Sequence, residues 1–259
     1  YSGERAVYRG VQDASAVIRY LREYHTDYGI DYNKIFFWGS SAGSFIGFHL
    51  AYMEEYERPE STYGGFGDPD LGCMDCEGND YLHDAKPTAI IGCWGAIGNL
   101  DWISEENNIP TIMFHGTSDS VVPFDEGYPF VIDIFLPYVY GSNLIHNRLN
   151  ELAIPNELYA EQGLPHEYWG TSNGYWDGGP NEYFELIQTD AYSFIFNILY
   201  PYEIGDINND GLINVVDFVD LLSIIINSSS QVEDIYYSDL NYDQRINIFD
   251  LLHLIDLIY

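Results

Sequence analysis

Lys34-Ile35-Phe36-Phe37-Trp38-Gly39-Ser40-Ser41-Ala42-Gly43 is the stretch from which the rest of the chain can be placed. Its apolar run, Ile35 to Trp38, predicts a short buried strand that passes straight into Gly39-Ser40-Ser41-Ala42-Gly43. A helix is expected from Ser44 to about Met53. A serine centred between glycines on a sharp strand-to-helix turn is a G-x-S-x-G elbow, a geometry that presents a hydroxyl for chemistry. Such a turn strains its backbone, so Gly39 and Gly43 are expected to give room where strand and helix crowd together. The helix start also leaves backbone N–H groups without acceptors beside the serine, an arrangement that suits an oxyanion.

With 259 residues, 46% of them hydrophobic, the chain is long enough for a large folded core, and composition alone does not choose between one domain and two. The 41 acidic side chains against 9 basic ones give a formal charge of -32, which repels nucleic acid and anionic membranes and favours solubility or cation binding. No apolar run reaches membrane-spanning length: the stretch around Phe130 to Tyr140 is broken by Asp133 and Pro137, and Leu221 to Ile226 is short. Cys73, Cys76 and Cys93 allow at most one internal disulfide. Cys73 and Cys76 form a lone C-x-x-C in a loop rich in Gly and Asp, which favours a structural disulfide or inert thiols over metal or redox use.

Along the chain, Val11, Ala14, Val17, Ile18, Leu21 and Tyr24 space out a one-faced helix over Gly10 to about His25. Residues 54–86 read as a long surface excursion. Strands are expected at Ala89–Cys93, at Thr111–Phe114 and from Glu157 to Ala160, with a mixed helical region to about Leu152 and a helix over about Asn181 to Leu199. Strands alternating with helices predict an α/β fold, a doubly wound, mostly parallel sheet with helices on both faces. After a break at Pro201–Gly205 the character changes. Asp206-Ile207-Asn208-Asn209-Asp210-Gly211-Leu212-Ile213-Asn214-Val215-Val216-Asp217 recurs 33 residues later as Asp239-Leu240-Asn241-Tyr242-Asp243-Gln244-Arg245-Ile246-Asn247-Ile248-Phe249-Asp250. Each copy leads into an apolar helix, so domains 1–200 and 201–259 are expected, the second small and all-α.

A serine nucleophile needs a base and a group to orient that base. The loops after two later strands offer Asp119 and His166 in chain order, while Asp125 and Glu126 compete with Asp119 for the acid. GSSAG at the elbow, FHGTSDSVVP around Asp119 and GLPHEYW around His166 resemble the α/β-hydrolase superfamily on its esterase and lipase side. The resemblance covers about Tyr1 to Tyr200, and it implies Ser41 as nucleophile, His166 as general base and then acid, Asp119 as its orienter, and the Ala42 N–H in the oxyanion hole. Ser40, Ser44 and His115 read as structural, and His25, His49, His83, His146 and His253 as satisfied histidines. Trp169, three residues past His166, is the candidate for contacting an aromatic acyl group in the substrate pocket.

The resemblance also implies about four strands and a His-Gly-Gly loop before the elbow, where only 33 residues precede Lys34. The elbow strand is therefore expected as an exposed sheet edge, and the chain as the C-terminal portion of a longer protein whose upstream segment is a partner of this one.

The repeat places oxygen ligands at alternate positions with a closing carboxylate, which is what Ca²⁺ requires. It resembles a dockerin, the module that binds a cohesin. The resemblance implies two Ca²⁺: one on Asp206, Asn208, Asp210, Asn214 and Asp217 with the Leu212 carbonyl, the other on Asp239, Asn241, Asp243, Asn247 and Asp250 with the Arg245 carbonyl. Gln244 stands where the first loop has Gly211. Val215-Val216 and Ile248-Phe249 would face a cohesin-bearing scaffold protein. Taken together, the expectation is a secreted serine carboxylesterase acting on acetyl or feruloyl esters of plant polysaccharides, with no cofactor in catalysis. The alternatives are a polyester or lipid esterase, a serine peptidase of the same fold, or an inactive half-domain serving only as a binding module.

Overall fold

Short apolar segments, each too brief to stand alone, pair side by side as parallel strands once the intervening chain crosses over. The computed structural model describes residues 2–65, 67–130, 136–170, 179–227 and 236–259. Its strands β1 (Phe36–Ser40), β2 (Ala89–Cys93), β4 (Thr111–Gly116) and β7 (Asn156–Glu161) form a parallel sheet in the order β1-β2-β4-β7. The central strands β2 and β4 are buried throughout, whereas β1 is an edge strand with Trp38 37% exposed. The expected exposed edge is thus observed among the described residues. A small antiparallel sheet, β3 (Ala96–Ile97), β6 (Val139–Gly141) and β5 (Glu126–Gly127), was not expected from the sequence, because two- and three-residue strands leave no period to read.

Helix α1 runs Ser2–Glu23, longer at its start than expected, and is followed by the short α2, His25–Tyr28. Helix α3 spans Ala42–Tyr52 and packs on α1, β1 and β2; α4, Ser142–Glu151, packs on β7, and α5 covers Glu182–Leu199. Phe37 lies against Gly47 of α3, and its neighbour Trp38 meets Tyr192 of α5 at 6.2 Å between ring centroids. Successive strand residues point to opposite faces, so helices cover both sides of the sheet at β1. The mixed helical region resolves into β5, β6 and α4, with residues 131–135 of it outside the described residues.

The excursion over residues 54–88 is not loose. Arg5, Arg19 and Arg22 project from α1 and donate to its backbone carbonyls, Arg5 to Ser61 and Pro69, Arg19 to Asp75 and Glu77, Arg22 to Asp84 and Lys86. Arg19 also pairs with the Asp75 carboxylate. Cys73 and Cys76 are disulfide-bonded within this segment, and Cys93 is a buried free thiol whose pKa burial pushes up to about 12.

Two compact units result, Tyr1–Tyr192 and Ser193–Tyr259, so the division falls inside α5 rather than at the Pro201–Gly205 break. In the second unit, α6 (Val215–Asn227) and α7 (Ile248–Ile258) pack Leu221, Leu240, Leu251 and Leu254 into a core of their own. Among the described residues no helix is long and apolar enough to cross a membrane.

Candidate active site

Ser41, Asp119 and His166 follow the C-terminal ends of β1, β4 and β7, the same edge of the parallel sheet. Ser41 holds φ 53° and ψ -117°, a conformation that costs a non-glycine residue of order 1–3 kcal/mol. Its surroundings fix it: the Ser41 N–H donates to Cys93 O at 3.0 Å, and Ser44 Oγ lies 2.6 Å from Gly39 O and 2.8 Å from Cys93 O. A Cβ on Gly39 would fall on the backbone of Gly43 and Ser44, so this position admits glycine alone. A Cβ on Gly43 would meet nothing within 4 Å, which corrects the expectation that both glycines make room. The helix begins at Ala42, directly after the serine rather than at Ser44, and the Ala42 N–H has no acceptor among the described residues.

The loop after β7 must reach back over β4 to bring His166 to Ser41. Gly116 makes this possible, since a Cβ there would fall on Leu164 O. The Ser118 N–H then donates to Leu164 O at 3.0 Å, and the Gly163 N–H to Thr117 Oγ1 at 2.8 Å. His166 Nε2 stands 2.9 Å from Ser41 Oγ and its Nδ1 2.6 Å from Asp119 Oδ2. A carboxylate accepts, so Nδ1 carries the proton and Nε2 is free to take one from the serine.

Asp119 is fully enclosed, with Oδ1 accepting from the N–H groups of Val121 and Val122 at 2.7 and 2.9 Å. Burial by itself would raise its pKa; hydrogen bonds from His115 and His166, with the Val122 N–H, outweigh burial and hold it at about 2. His115 sits 3.2 Å from Asp119 Oδ2, with its Nδ1 2.8 Å from Ser142 Oγ. It was expected only to brace its turn, yet it touches the acid of the triad. The HGTSD spacing, histidine four residues before the aspartate, was the available signal. Asp125 and Glu126 belong elsewhere: Asp125 takes the Asn143 side-chain amide, and Glu126 opens β5.

A cavity of about 270 Å³ adjoins Ser41 and Ala42 and is lined mainly by apolar side chains, among them Val7, Phe45, Val121, Val122 and Leu136. Trp169 does not line it. Its ring packs on Trp94 at 4.7 Å and on Phe184 at 5.5 Å, and Trp94 in turn meets the edge of His166 at 6.2 Å and donates from Nε1 to Ser40 Oγ at 2.9 Å. Trp169 therefore stands behind the histidine, as part of an aromatic wall. Residues 171–178, which follow this wall, lie outside the described residues.

In the second unit the repeated loops adopt one hydrogen-bond pattern. Asp206 accepts from the N–H groups of Asp210 and Gly211, and Asp217 from those of Ile207, Asn208 and Asn214. Asp239 and Asp250 repeat this with Asp243, Gln244, Leu240, Asn241 and Asn247. Gln244 occupies a left-handed conformation, φ 62°, where Gly211 has φ 82°. The side-chain donors of both loops are oxygens, so by chemistry they fit a hard cation such as Ca²⁺. Among the described residues no three His, Cys, Asp or Glu side chains are gathered into a metal-holding group. Val215, Val216, Ile248 and Phe249 are all exposed at the starts of α6 and α7.

Residues 1–97 match the BD-FAE family model. No curated protein sequence matches the chain. Among solved structures, the chain is similar to Thermogutta terrifontis esterase 2 phosphoramylated by tabun, with TM-score 0.50 and 19% identity over 74% of this chain and 65% of that one. It is also similar to the propionate-bound esterase Est2 from the same organism, with TM-score 0.49 and 19% identity over 73% and 64%. A third is MGS-M1, an alpha/beta hydrolase from a Medee basin deep-sea metagenome library, with TM-score 0.46 and 16% identity over 73% and 64%. At the first of these values the likeness shows a shared α/β fold with a parallel sheet, and the chain spans less than two thirds of the length of these structures.

Proposed function

We propose that the first unit is a serine carboxylesterase. One observation carries this reading: Ser41 Oγ, His166 and Asp119 stand in an unbroken relay at 2.9 and 2.6 Å, with the serine on a strained elbow at a helix start. His166 Nε2 takes the hydroxyl proton as Ser41 Oγ attacks the ester carbonyl, and Asp119 stabilises the imidazolium so formed. The tetrahedral oxyanion turns toward the Ala42 N–H. Its collapse breaks the ester C–O bond, His166 returns the proton to the departing alcohol, and a water activated by the same histidine releases the acid. The apolar cavity beside Ser41 suits an acyl group, and acetyl or feruloyl esters of plant polysaccharides are the substrates proposed. With a p-nitrophenyl ester as probe, Ser41→Ala is expected to lower kcat by about 10⁴-fold or more. Activity untouched by that substitution would refute Ser41 as the nucleophile of an esterase, and absence of activity in the unsubstituted protein would leave the binding-module reading.

For the second unit we propose a dockerin that binds two Ca²⁺, through Asp206, Asn208, Asp210, Leu212, Asn214 and Asp217 and through the matching residues of the second loop. The repeated, all-oxygen donor set and the exposed pairs Val215-Val216 and Ile248-Phe249 support it. A cohesin-bearing scaffold would be its partner. Secretion is proposed with it, in keeping with the Cys73–Cys76 disulfide. After chelator treatment, calorimetric titration with Ca²⁺ should show two binding events, the second loop weaker because Gln244 strains its turn. Absence of heat and of any change in helical circular dichroism would refute the metal sites.

A further inference from the structure

Ser41, Phe45 and His49 follow one another at a spacing of four along one face of α3, and all three line the cavity. At a rise of 1.5 Å per residue, His49 lies about 12 Å along the helix from the serine. Its imidazole is a polar group of the cavity lining at that distance from the serine. His49 is buried, and its Nδ1 is 2.7 Å from Phe45 O. A carbonyl oxygen only accepts, so Nδ1 bears the proton and Nε2 presents a lone pair. Burial lowers the pKa to about 4, the bond to Phe45 O opposing this only in part, so the ring is neutral at ordinary pH. Among the described residues Nε2 has no hydrogen-bond partner; Trp102 meets the ring edge-on at 5.1 Å between centroids.

Two neighbours keep Nε2 accessible and distinctive. Gly98 also lines the cavity, and a Cβ there would sit 3.2 Å from His49 Nε2, so the missing side chain leaves the nitrogen open. Among the described residues Glu4 is the other ionisable side chain of the lining, and its Oε2 accepts from the Ser61 hydroxyl. An apolar channel with a neutral acceptor far from the nucleophile is complementary to a ligand that is apolar along its length and ends in a donor.

We propose that His49 Nε2 is a specificity subsite that accepts a hydrogen bond from a hydroxyl at the far end of an apolar acyl group whose carbonyl sits at Ser41. The proposal rests on the esterase reading for the identity of the acyl group, and binding tests it apart from turnover. An acyl group ending in a methoxy or methyl would bury Nε2 without a donor, and this sets the discrimination.

The test is calorimetric affinity of the Ser41→Ala protein for ester pairs that differ only at that end: methyl 4-hydroxycinnamate against methyl 4-methoxycinnamate, and methyl 8-hydroxyoctanoate against methyl octanoate. At least one hydroxyl-bearing ester should bind about tenfold tighter than its partner, and which pair does so distinguishes an aromatic from an aliphatic acyl group. Adding His49→Leu should bring that ratio to about one, adding Gly98→Ala should lower it by covering Nε2, and adding Glu4→Gln should leave it standing. Equal affinities within both pairs, a ratio that survives His49→Leu, or one that collapses with Glu4→Gln would each overturn the proposal. The outcome is separate from the reaction: selective binding with no ester turnover by the Ser41 protein would sink the esterase reading and keep the subsite, and turnover without selectivity would do the reverse.

Discussion

A buried neutral histidine changes how the protein answers to acid. His49 loses water on folding without gaining an anion, so its folded pKa, about 4, falls below the ordinary value of 6.5. The unfolded chain then binds a proton that the folded chain refuses across that window, and stability rises with pH through it. The contribution is fully present above about pH 6.5 and is lost as pH falls toward 4, by about 3 kcal/mol from a shift of this size. Urea unfolding at pH 7 and at pH 4.5 should show a smaller loss for His49→Gln than for the wild type. An unchanged loss would mean that the ring is protonated in the folded state. Little of this was legible in the sequence, where His49 is one histidine among seven. The triad was legible because the segments around Ser41, Asp119 and His166 resemble a hydrolase family in which the three residues follow strands in that chain order. The role of His49 depends on α3 carrying Ser41, Phe45 and His49 on one face, and only knowing where the helix starts reveals that.

At the level of elements, the strands were legible wherever apolar runs were long enough to show a period, as in β2 and β4. The elbow was legible in composition but not in detail. Gly39 is held to glycine by the backbone crossing at Gly43 and Ser44, while Gly43 faces open space, and a motif written as two equivalent glycines hides this asymmetry. The excursion over residues 54–88 looked unstructured because its order comes from outside it. Side chains of α1 donate to its carbonyls, and a guanidinium meeting scattered carbonyls leaves no periodic trace in the chain that receives it. The repeated loops were legible for the opposite reason: each Asp or Asn position is also a turn position, so Asp206 and Asp217 recur as Asp239 and Asp250 with the same backbone partners. The fold class follows from the alternation of elements. The small sheet β3-β6-β5 does not, since contacts set by tertiary packing can order two residues that have no strand pattern.

At the level of the whole molecule, charge is the dominant fact. Against 41 acidic side chains there are 9 basic ones, so most carboxylates have no cation to balance them. Arg5, Arg19, Arg22, Arg58, Lys86 and Arg148 donate to backbone carbonyls, which fixes loops, and the last five of these also pair with a carboxylate, so the unpaired charge comes from the excess of acidic side chains. Self-repulsion of a net charge of -32 opposes the compact state, and it acts over distances that salt controls. The screening length falls from about 30 Å at 0.01 M to about 3 Å at 1 M, while the enclosed Arg19 and its Asp75 partner are screened far less. Screening should therefore remove more repulsion than attraction. Scanning calorimetry in chelator, which takes calcium binding out of the comparison, should show Tm rising by about 5 °C between 0.01 and 1 M NaCl, the shift expected from about 2 kcal/mol in a chain of this length. Replacing NaCl by KCl should give the same rise if screening is the cause. A fall in Tm would show that surface ion pairs such as Arg58 with Asp70, rather than the net charge, govern stability.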